Sequence, residues 1–154
     1  MSSWWWRPSR PALRRARDLF HLGHIFCVAA IVPLLFRLPL PWLQTLLAPR
    51  RAPRPTAPAQ EEWVIDAVQG MLRRGYPLLR RGCLTRGVTL YYFLRRAGVE
   101  VTLCFGLGRA ASGSGGMEGH CWLVKRGEPL LEARDPRPLY TVMYTFPRTP
   151  EGGA

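Results

Sequence analysis

The sequence predicts an α+β fold in which helices come first along the chain and an antiparallel sheet follows. Between residues 61 and 96, apolar residues recur with the 3.6-residue spacing that is typical of amphipathic helices. After Gly98 the spacing changes to alternation rich in β-branched and aromatic residues, which indicates strands. Helices followed by an antiparallel sheet define this fold class.

The chain has 154 residues, enough for one compact core and too few for two comfortable domains. We expect three regions along it. Residues 1–60 form a basic and hydrophobic helical region that ends in a Pro-rich linker, and residues 61–147 form the compact domain. Residues 148–154 are expected to be a disordered tail.

Positive charge is concentrated at the N-terminal end. Residues 1–54 carry nine Arg and a single acid, Asp18, while the whole chain has a net charge of +12. Such an excess indicates an anionic membrane surface, an acidic partner or nucleic acid. Because the sequence carries no RNA- or DNA-binding signature, nucleic acid is not expected among the partners.

Residues 19–48 form a strongly apolar segment. Its uninterrupted core, Ile25–Phe36, has twelve residues, fewer than the roughly 20 that cross a bilayer as a helix. We therefore expect one or two hydrophobic helices that pack on the domain or lie on a membrane surface. His21, His24 and Cys27 are spread over about 300° of such a helix, so that no metal site is expected.

Two further helices are expected before the sheet. The first opens with acidic residues at Glu61 and closes with basic residues at Arg74, just before a glycine. The second begins at Cys83 and ends in the basic pair that closes with Arg96, again followed by a glycine.

Four strands are expected in the C-terminal part of the chain, and residues 108–119 are expected to be a flexible loop between the first two. The strands are predicted at residues 99–107, 120–124, 128–132 and 140–146.

The four cysteines are too few and too scattered for a disulfide scaffold and form no CxxC pair, so that a reduced, cytoplasmic setting is expected. Cys104 lies within an apolar strand and is expected in the core. Cys121 points to the opposite face of its strand from His120 and is expected to be structural, ranking second as a nucleophile. Cys83 differs from both because a helix begins at it.

The position of Cys83 favours a reactive thiolate. At a helix start the unpaired N–H groups and the positive end of the dipole stabilise an anion. Arg80, Arg81 and Arg86 add positive charge nearby. The same N–H groups could hold the oxyanion that forms when a thiolate attacks a carbonyl carbon. Cys83 is therefore a candidate nucleophile, and the alternative is a small buried residue at a helix end.

His120 is the candidate general base. It opens a strand after a Gly-rich loop, and a carboxylate on the adjacent strand could orient it through its other ring nitrogen. A three-residue hairpin loop would place Glu132 opposite His120. A two-residue loop, Arg126-Gly127, would shift the face by one residue and favour Asp135. Spacing alone leaves both acids open.

Five short motifs follow one another in this part of the chain. They are Cys83-Leu84-Thr85-Arg86, Leu94–Gly98, Gly106–Arg109, His120-Cys121-Trp122 and Glu132. Their order and spacing resemble the transglutaminase-like leader peptidases of lasso-peptide biosynthesis, of the microcin-processing type. That family has C-L-x-R, a helix ending in L-R-R-x-G, a strand ending in G-x-x-R or G-x-R, H-x-W and an acid. The resemblance is strong over residues 61–146 and looser over residues 19–48.

The resemblance implies a papain/transglutaminase-like core. A helix that bears the nucleophile Cys83 would pack on an antiparallel sheet, preceded by hydrophobic N-terminal helices. The resemblance makes His120 the base and Glu132 the orienting acid, with Asp135 as the alternative. Two positions depart from the family pattern, because its acid is normally Asp and the residue after its His is usually Ala, where this chain has Cys121.

The function implied is that of a bacterial cytoplasmic cysteine peptidase that removes the leader from a ribosomally made precursor peptide. No cofactor and no metal are implied. The partners implied are the precursor, a separate leader-recognition protein and a cyclase, and residues 1–48 add a membrane surface as a candidate. Two alternatives stay open: an acyl or amide transferase that uses the same Cys–His site, and a non-catalytic membrane-associated protein with a degenerate site.

Overall fold

Helices and one antiparallel sheet make up the computed structural model, which describes residues 16–37, 39–47, 58–75, 79, 82–110 and 116–147. The elements in these ranges are α1 (Ala16–Leu35), α2 (Leu40–Leu47), α3 (Pro58–Arg74), α4 (Cys83–Arg96), β1 (Thr102–Arg109), β2 (Met117–Lys125), β3 (Glu128–Leu130) and β4 (Thr141–Phe146). The predicted α+β class is confirmed. The predicted tail, most of the predicted linker, and Arg80 and Arg81 lie outside the described residues.

The sheet has the strand order β3-β2-β1-β4, and each neighbouring pair is antiparallel. β1 and β2 form a long hairpin in which Gly106 lies opposite His120. β4 follows β3 in sequence but pairs with β1 at the far edge, so that residues 131–140 must cross from one edge of the sheet to the other. This crossing segment supplies two residues that contact His120.

α4 packs closely on the sheet at Gly87, one turn after the helix begins. A Cβ atom at this position would lie 2.8 Å from the Sγ atom of Cys121 and 3.2 Å from a methyl carbon of Leu103. Only a residue without a side chain allows such an approach, since both neighbours are buried. The contact fixes the first turn of α4 beside β2, and therefore Cys83 near His120.

α1 packs against α3 and α4 and contributes Ile25, Ala29 and Val32 to the same hydrophobic core. From residue 19 onwards, where the structure describes the side chains of α1, its opposite face is exposed and carries apolar or small residues: Leu19, Phe20, Gly23, Cys27, Ile31 and Leu34. None of the helices in the described ranges is both long and apolar enough to cross a bilayer. The division of the chain at residue 60 stays a prediction.

The predicted start of β1 at residue 99 is wrong because the chain first closes α4. The N–H group of Val99 donates to the carbonyl of Leu94 at 2.9 Å, and Gly98 has a φ of 85°. This is the left-handed glycine turn that commonly ends a helix. The residues that the alternation assigned to the strand are therefore used as the end of the helix, and pairing begins at Thr102.

The predicted loop at residues 108–119 is also too long. β1 and β2 stay paired as far as Arg109 and Met117. Gly108 suggested a loop, but it serves a close approach within a strand, since a Cβ there would lie 2.3 Å from the carbonyl oxygen of Leu139. α3 also begins three residues earlier than predicted, with Pro58 at the first helical position that proline favours.

Candidate active site

Cys83 is the first residue of α4 and is partly exposed. Gly82 caps the helix with extended dihedral angles (φ −169°, ψ 162°) and, as a glycine, offers no side-chain hydrogen bond to the helix start. The first bond of the helix runs from the N–H group of Arg86 to the carbonyl of Gly82, at 3.1 Å. The N–H groups before Arg86 therefore have no acceptor within the helix, and they surround the thiol with partial positive charge.

Glu132 connects His120 to α4. Its Oε2 atom lies 3.0 Å from Nε2 of His120, and its Oε1 atom accepts a hydrogen bond from Nη2 of Arg86. The carboxylate is 11% exposed, while the side chains of His120 and Arg86 are 20% and 32% exposed. Both oxygens of a nearly buried carboxylate are thus paired with donors, as burial of a charge requires.

The hairpin turn before Glu132 has two residues and not three. Lys125 pairs with Glu128, and the turn residues Arg126 and Gly127 have φ values of 51° and 83°, as a type I′ turn requires. We expected a two-residue turn to place Asp135 beside His120, and this expectation is wrong. It assumed that β3 continues to residue 132.

β3 instead ends at Leu130, two residues before its predicted end. Leu131 has a φ of 62°, a left-handed conformation that an L-residue with a side chain rarely adopts. The alternation of faces stops at this residue, and Glu132 comes to lie beside His120. The kink at Leu131, and not the register of the hairpin, therefore determines which acidic residue lies beside His120.

Asp135 lies apart from this pair and is held by Arg137. Its Oδ1 and Oδ2 atoms accept bonds from Nε and Nη2 of Arg137 at 2.9 and 2.6 Å. These hydrogen bonds lower the pKa of the exposed Asp135 carboxyl. Of the two acids left open by the sequence, the structure brings Glu132 to His120; the catalytic role of either stays a prediction.

Two aromatic rings hold the imidazole of His120. Trp122 stacks on it with the ring centroids 5.8 Å apart at 16°, and Tyr140 stacks with centroids 5.0 Å apart at 30°. Gly106 makes room for both, since a Cβ there would lie 2.9 Å from atoms of Trp122 and of Tyr140. Tyr140 was not expected at the site, and no local pattern marks it because it arrives from the crossing segment.

Arg86 was expected only as positive charge near Cys83. It lies three residues after Cys83, almost one helical turn on, so that both side chains point to the same side of α4. Its guanidinium donates a hydrogen bond to the carboxylate of Glu132. The C-L-x-R spacing was the available signal, but the partner of the arginine could not be read from it.

Cys104 and Cys121 are both buried, as expected for cysteines with a structural role. Cys121 is 2% exposed, and burial, with a smaller contribution from Cys83, raises the pKa of its thiol far above the ordinary range. Burial also raises the pKa of Cys104 to about 11. Both thiols are therefore neutral at physiological pH, and neither offers a thiolate.

Two clefts meet at Cys83 and His120, which line both of them. We call one the charged cleft; it has a volume of about 620 Å³ and includes Arg73, Arg86 and Glu132. We call the other the apolar groove; it has a volume of about 450 Å³, and its apolar side chains are Leu84, Phe105, Leu107, Met143 and Tyr144. A bound chain that reaches the thiol must therefore pass between a polar and an apolar surface.

The site offers no cluster of metal ligands. Among the residues that the structure places, no group of three His, Cys, Asp or Glu could hold an ion. His24, on α1, packs edge-on against the rings of Tyr92 and Phe93. What the arrangement provides is a partly exposed thiol at a helix start and an imidazole oriented by a carboxylate.

Comparison with protein families gives a match over most of the chain. A family model described as the transglutaminase-like superfamily matches residues 27–145, a range that includes Cys83, His120 and Glu132 and begins within α1. Neither the search of curated proteins nor the search of solved structures gives a match.

Proposed function

Because the chain belongs to the transglutaminase-like superfamily, we propose that it is a cysteine peptidase in which Cys83 attacks the substrate carbonyl, His120 acts as base and Glu132 orients the imidazole. One observation carries the proposal. The Nε2 atom of His120 is bonded to the carboxylate of Glu132 at 3.0 Å, while its ring lines the same clefts as the partly exposed thiol of Cys83. Nucleophile, base and orienting group are the three parts that such catalysis needs.

In the first half of the reaction a proton moves from Sγ of Cys83 to His120. Since Nε2 is engaged by Glu132, Nδ1 is the ring nitrogen that accepts it. The thiolate attacks the carbonyl carbon, a C–S bond forms, and the carbonyl oxygen becomes an oxyanion. The backbone N–H groups at the start of α4 stabilise that charge.

In the second half the tetrahedral intermediate breaks down. The C–N bond breaks and Nδ1 of His120 returns its proton to the departing amine, which leaves a thioester on Cys83. Water then attacks the thioester with His120 again as base, and the carboxylic acid and the thiol are released. Glu132 remains ionised throughout and keeps the ring orientation.

The substrate class we propose is a ribosomally made precursor peptide from which a leader segment is removed, as in lasso-peptide maturation. The support is the order and spacing of the five motifs, from Cys83 to Glu132. A separate leader-recognition protein would bring the precursor, and a cyclase would act on the product. The test incubates the full chain with the precursor and the recognition protein, and mass spectrometry identifies the cleaved bond.

The expected result is cleavage by the wild-type chain and none by Cys83→Ala. Cleavage that persists at the same rate in Cys83→Ala would overturn the proposal. Because the superfamily includes transferases as well as peptidases, the reaction is repeated with a primary amine in excess. An amide of that amine in place of the free acid would identify acyl transfer as the reaction, whereas a free acid alone supports hydrolysis.

A second candidate function is attachment to an anionic membrane surface through α1. The observation that favours it is the exposed apolar face of α1, whose Ile31 and Leu34 are 47% and 56% exposed. Arg37 is exposed directly after this face, and residues 1–54 carry a net charge of +8. Apolar contact combined with basic residues is what binds helices to anionic lipid surfaces.

Vesicle flotation tests this attachment. The chain should float with vesicles that contain phosphatidylglycerol and less with phosphatidylcholine alone, and Ile31→Gln with Leu34→Gln should reduce flotation severalfold. Glu100→Gln, an exposed change away from α1, is the control. Equal flotation of the α1 variant and the control would reject attachment through this face. Self-association of the wild-type chain that the α1 variant abolishes would assign the face to a second copy instead.

A further inference from the structure

The apolar groove beside Cys83 has the properties of a side-chain binding site. We infer that it selects peptides with a bulky apolar residue on the acyl side of the scissile bond, the residue whose carbonyl carbon becomes bonded to Cys83. The inference rests on the proposed peptidase function and names the substrate class of that same site.

The walls of the groove come from four elements, one of which is β2 with His120. Leu84 follows Cys83 on α4, Phe105 and Leu107 lie on β1, and Met143 lies on β4. Among the described residues, its only polar or titratable side chains are the imidazole of His120, the phenol of Tyr144 and the thiols of Cys83 and Cys121, and no carboxylate, ammonium or guanidinium lines it. A charged or strongly polar side chain would lose its hydration there without gaining a partner, whereas an apolar side chain would be favoured.

Two of these side chains are partly exposed to water in the free chain. Leu107 is 40% exposed and Met143 is 62% exposed, and they face the groove from neighbouring strands. Burial of such apolar surface favours binding roughly in proportion to the area that leaves water. Methionine adapts to ligands of different shape, so the groove should accept both aliphatic and aromatic side chains.

Since Cys83 lines both clefts, the groove is assigned to the acyl side by its position beside the thiol together with its apolar lining. Cys83 and His120 form part of its wall, and the acyl residue is the one that stays bonded to Sγ of Cys83 in the thioester. The side chain of this residue therefore stays next to the groove for as long as the thioester exists. The charged cleft on the other side, with Arg73 and Arg86, suits a polar segment and not a bulky apolar residue.

Peptidyl chloromethyl ketones test the inference without a precursor or a recognition protein. The thiolate of Cys83 displaces chloride, so that a C–S bond forms as the C–Cl bond breaks, and mass spectrometry of the full chain counts the product. The probes are acetyl-Ala-Ala-X-chloromethyl ketones with X as Phe, Leu, Ser or Asp. We expect second-order rates for Phe and Leu at least tenfold above those for Ser and Asp.

Met143→Asp and Leu107→Asp should each reduce this preference to threefold or less, because a carboxylate then lies in the groove. Val142→Asp is the matched control. It places the same charge on β4, at a residue that is 46% exposed and does not line the groove. The control should retain the wild-type preference, and a preference lost equally in all three variants would overturn the inference.

The outcomes separate this inference from the proposed function. Labelling of Cys83 by all four probes at similar rates would reject the apolar selectivity and leave the peptidase proposal standing. Failure of every probe, together with slow reaction of Cys83 with iodoacetamide, would reject the reactive thiol itself. Self-association of the wild-type chain that Met143→Asp abolishes would show that a second copy occupies the groove and would also overturn the inference.

Discussion

The two clefts that meet at Cys83 and His120 are lined by different kinds of side chain. The charged cleft contains Glu132 and Arg86, whose charges fix the imidazole in place. The apolar groove on the other side has Leu107 and Met143 in its wall. Under the proposed function the two clefts would have different roles: the charged cleft would orient the catalytic imidazole, and the apolar groove would select the peptide that is bound beside the thiol.

The largest effect is expected when Cys83, which lines both clefts, is replaced. Cys83→Ala should reduce the kcat/KM of peptide cleavage by at least about 1,000-fold, since removal of a nucleophile eliminates the covalent route. Cys27→Ala, on the exposed face of α1, should keep wild-type activity. The measurement is the initial rate of peptide cleavage by each variant, and equal losses in both would contradict the assignment.

The next effect tests the charged cleft and separates the two acids. Glu132→Gln should lower kcat by about 100-fold, because a neutral amide stabilises the imidazolium that forms during attack less than a carboxylate does. Asp135→Asn removes the acid that is bonded to Arg137 instead, and should leave kcat within about twofold of wild type. If Asp135→Asn caused the greater loss, Asp135 would be the orienting acid and Glu132 would not.

Arg86 should matter less than Glu132, because it acts through that carboxylate as a positioning residue. Arg86→Met should lower kcat by roughly tenfold and leave KM nearly unchanged, since the carboxylate keeps its bond to His120 but loses its second partner. Arg86→Lys should recover part of the loss. A structural role alone would change the melting temperature in both variants without shifting the pH profile of kcat, and that profile is the deciding readout.

The last prediction concerns the packing of the aromatic rings around the imidazole, and its expected effect is on the stability of the fold. Gly106→Ala places a methyl group 2.9 Å from both Trp122 and Tyr140, and should destabilise the fold by about 1–3 kcal/mol. Gly70→Ala, in α3 with open space around it, should be neutral or stabilising by up to about 1 kcal/mol. Denaturant unfolding compares them, and equal stability of the two variants would show that the rings at Gly106 yield freely.

Features that depend on local sequence signals could be predicted from the sequence, and features that depend on distant contacts or on backbone conformation could not. The start of α4 at Cys83 was predictable because its signals are local: a glycine before it, helical periodicity after it and basic residues at its end. The choice between Glu132 and Asp135 was not, because it depends on the backbone at Leu131, where a positive φ ends β3 without any residue-type signal.

Long-range contacts were equally invisible along the chain. Tyr140 reaches His120 only because residues 131–140 cross the sheet between β3 and β4. Gly108 was assigned to the predicted loop, whereas Gly106 and Gly108 each leave space within a strand for Tyr140, at the end of that crossing segment. For the same reason the sequence predicted apolar helices at residues 19–48 but not which face of α1 would stay exposed.

The most direct test of the central claim is the rate at which iodoacetamide alkylates Cys83 as a function of pH. It is measured in a Cys27→Ser background, because Cys104 and Cys121 are buried and their raised pKa values keep them neutral and unreactive. If Cys83 and His120 act as nucleophile and base, the thiol should react rapidly at neutral pH, and His120→Ala should slow that reaction at least tenfold. Identical pH profiles with and without His120 would contradict the account.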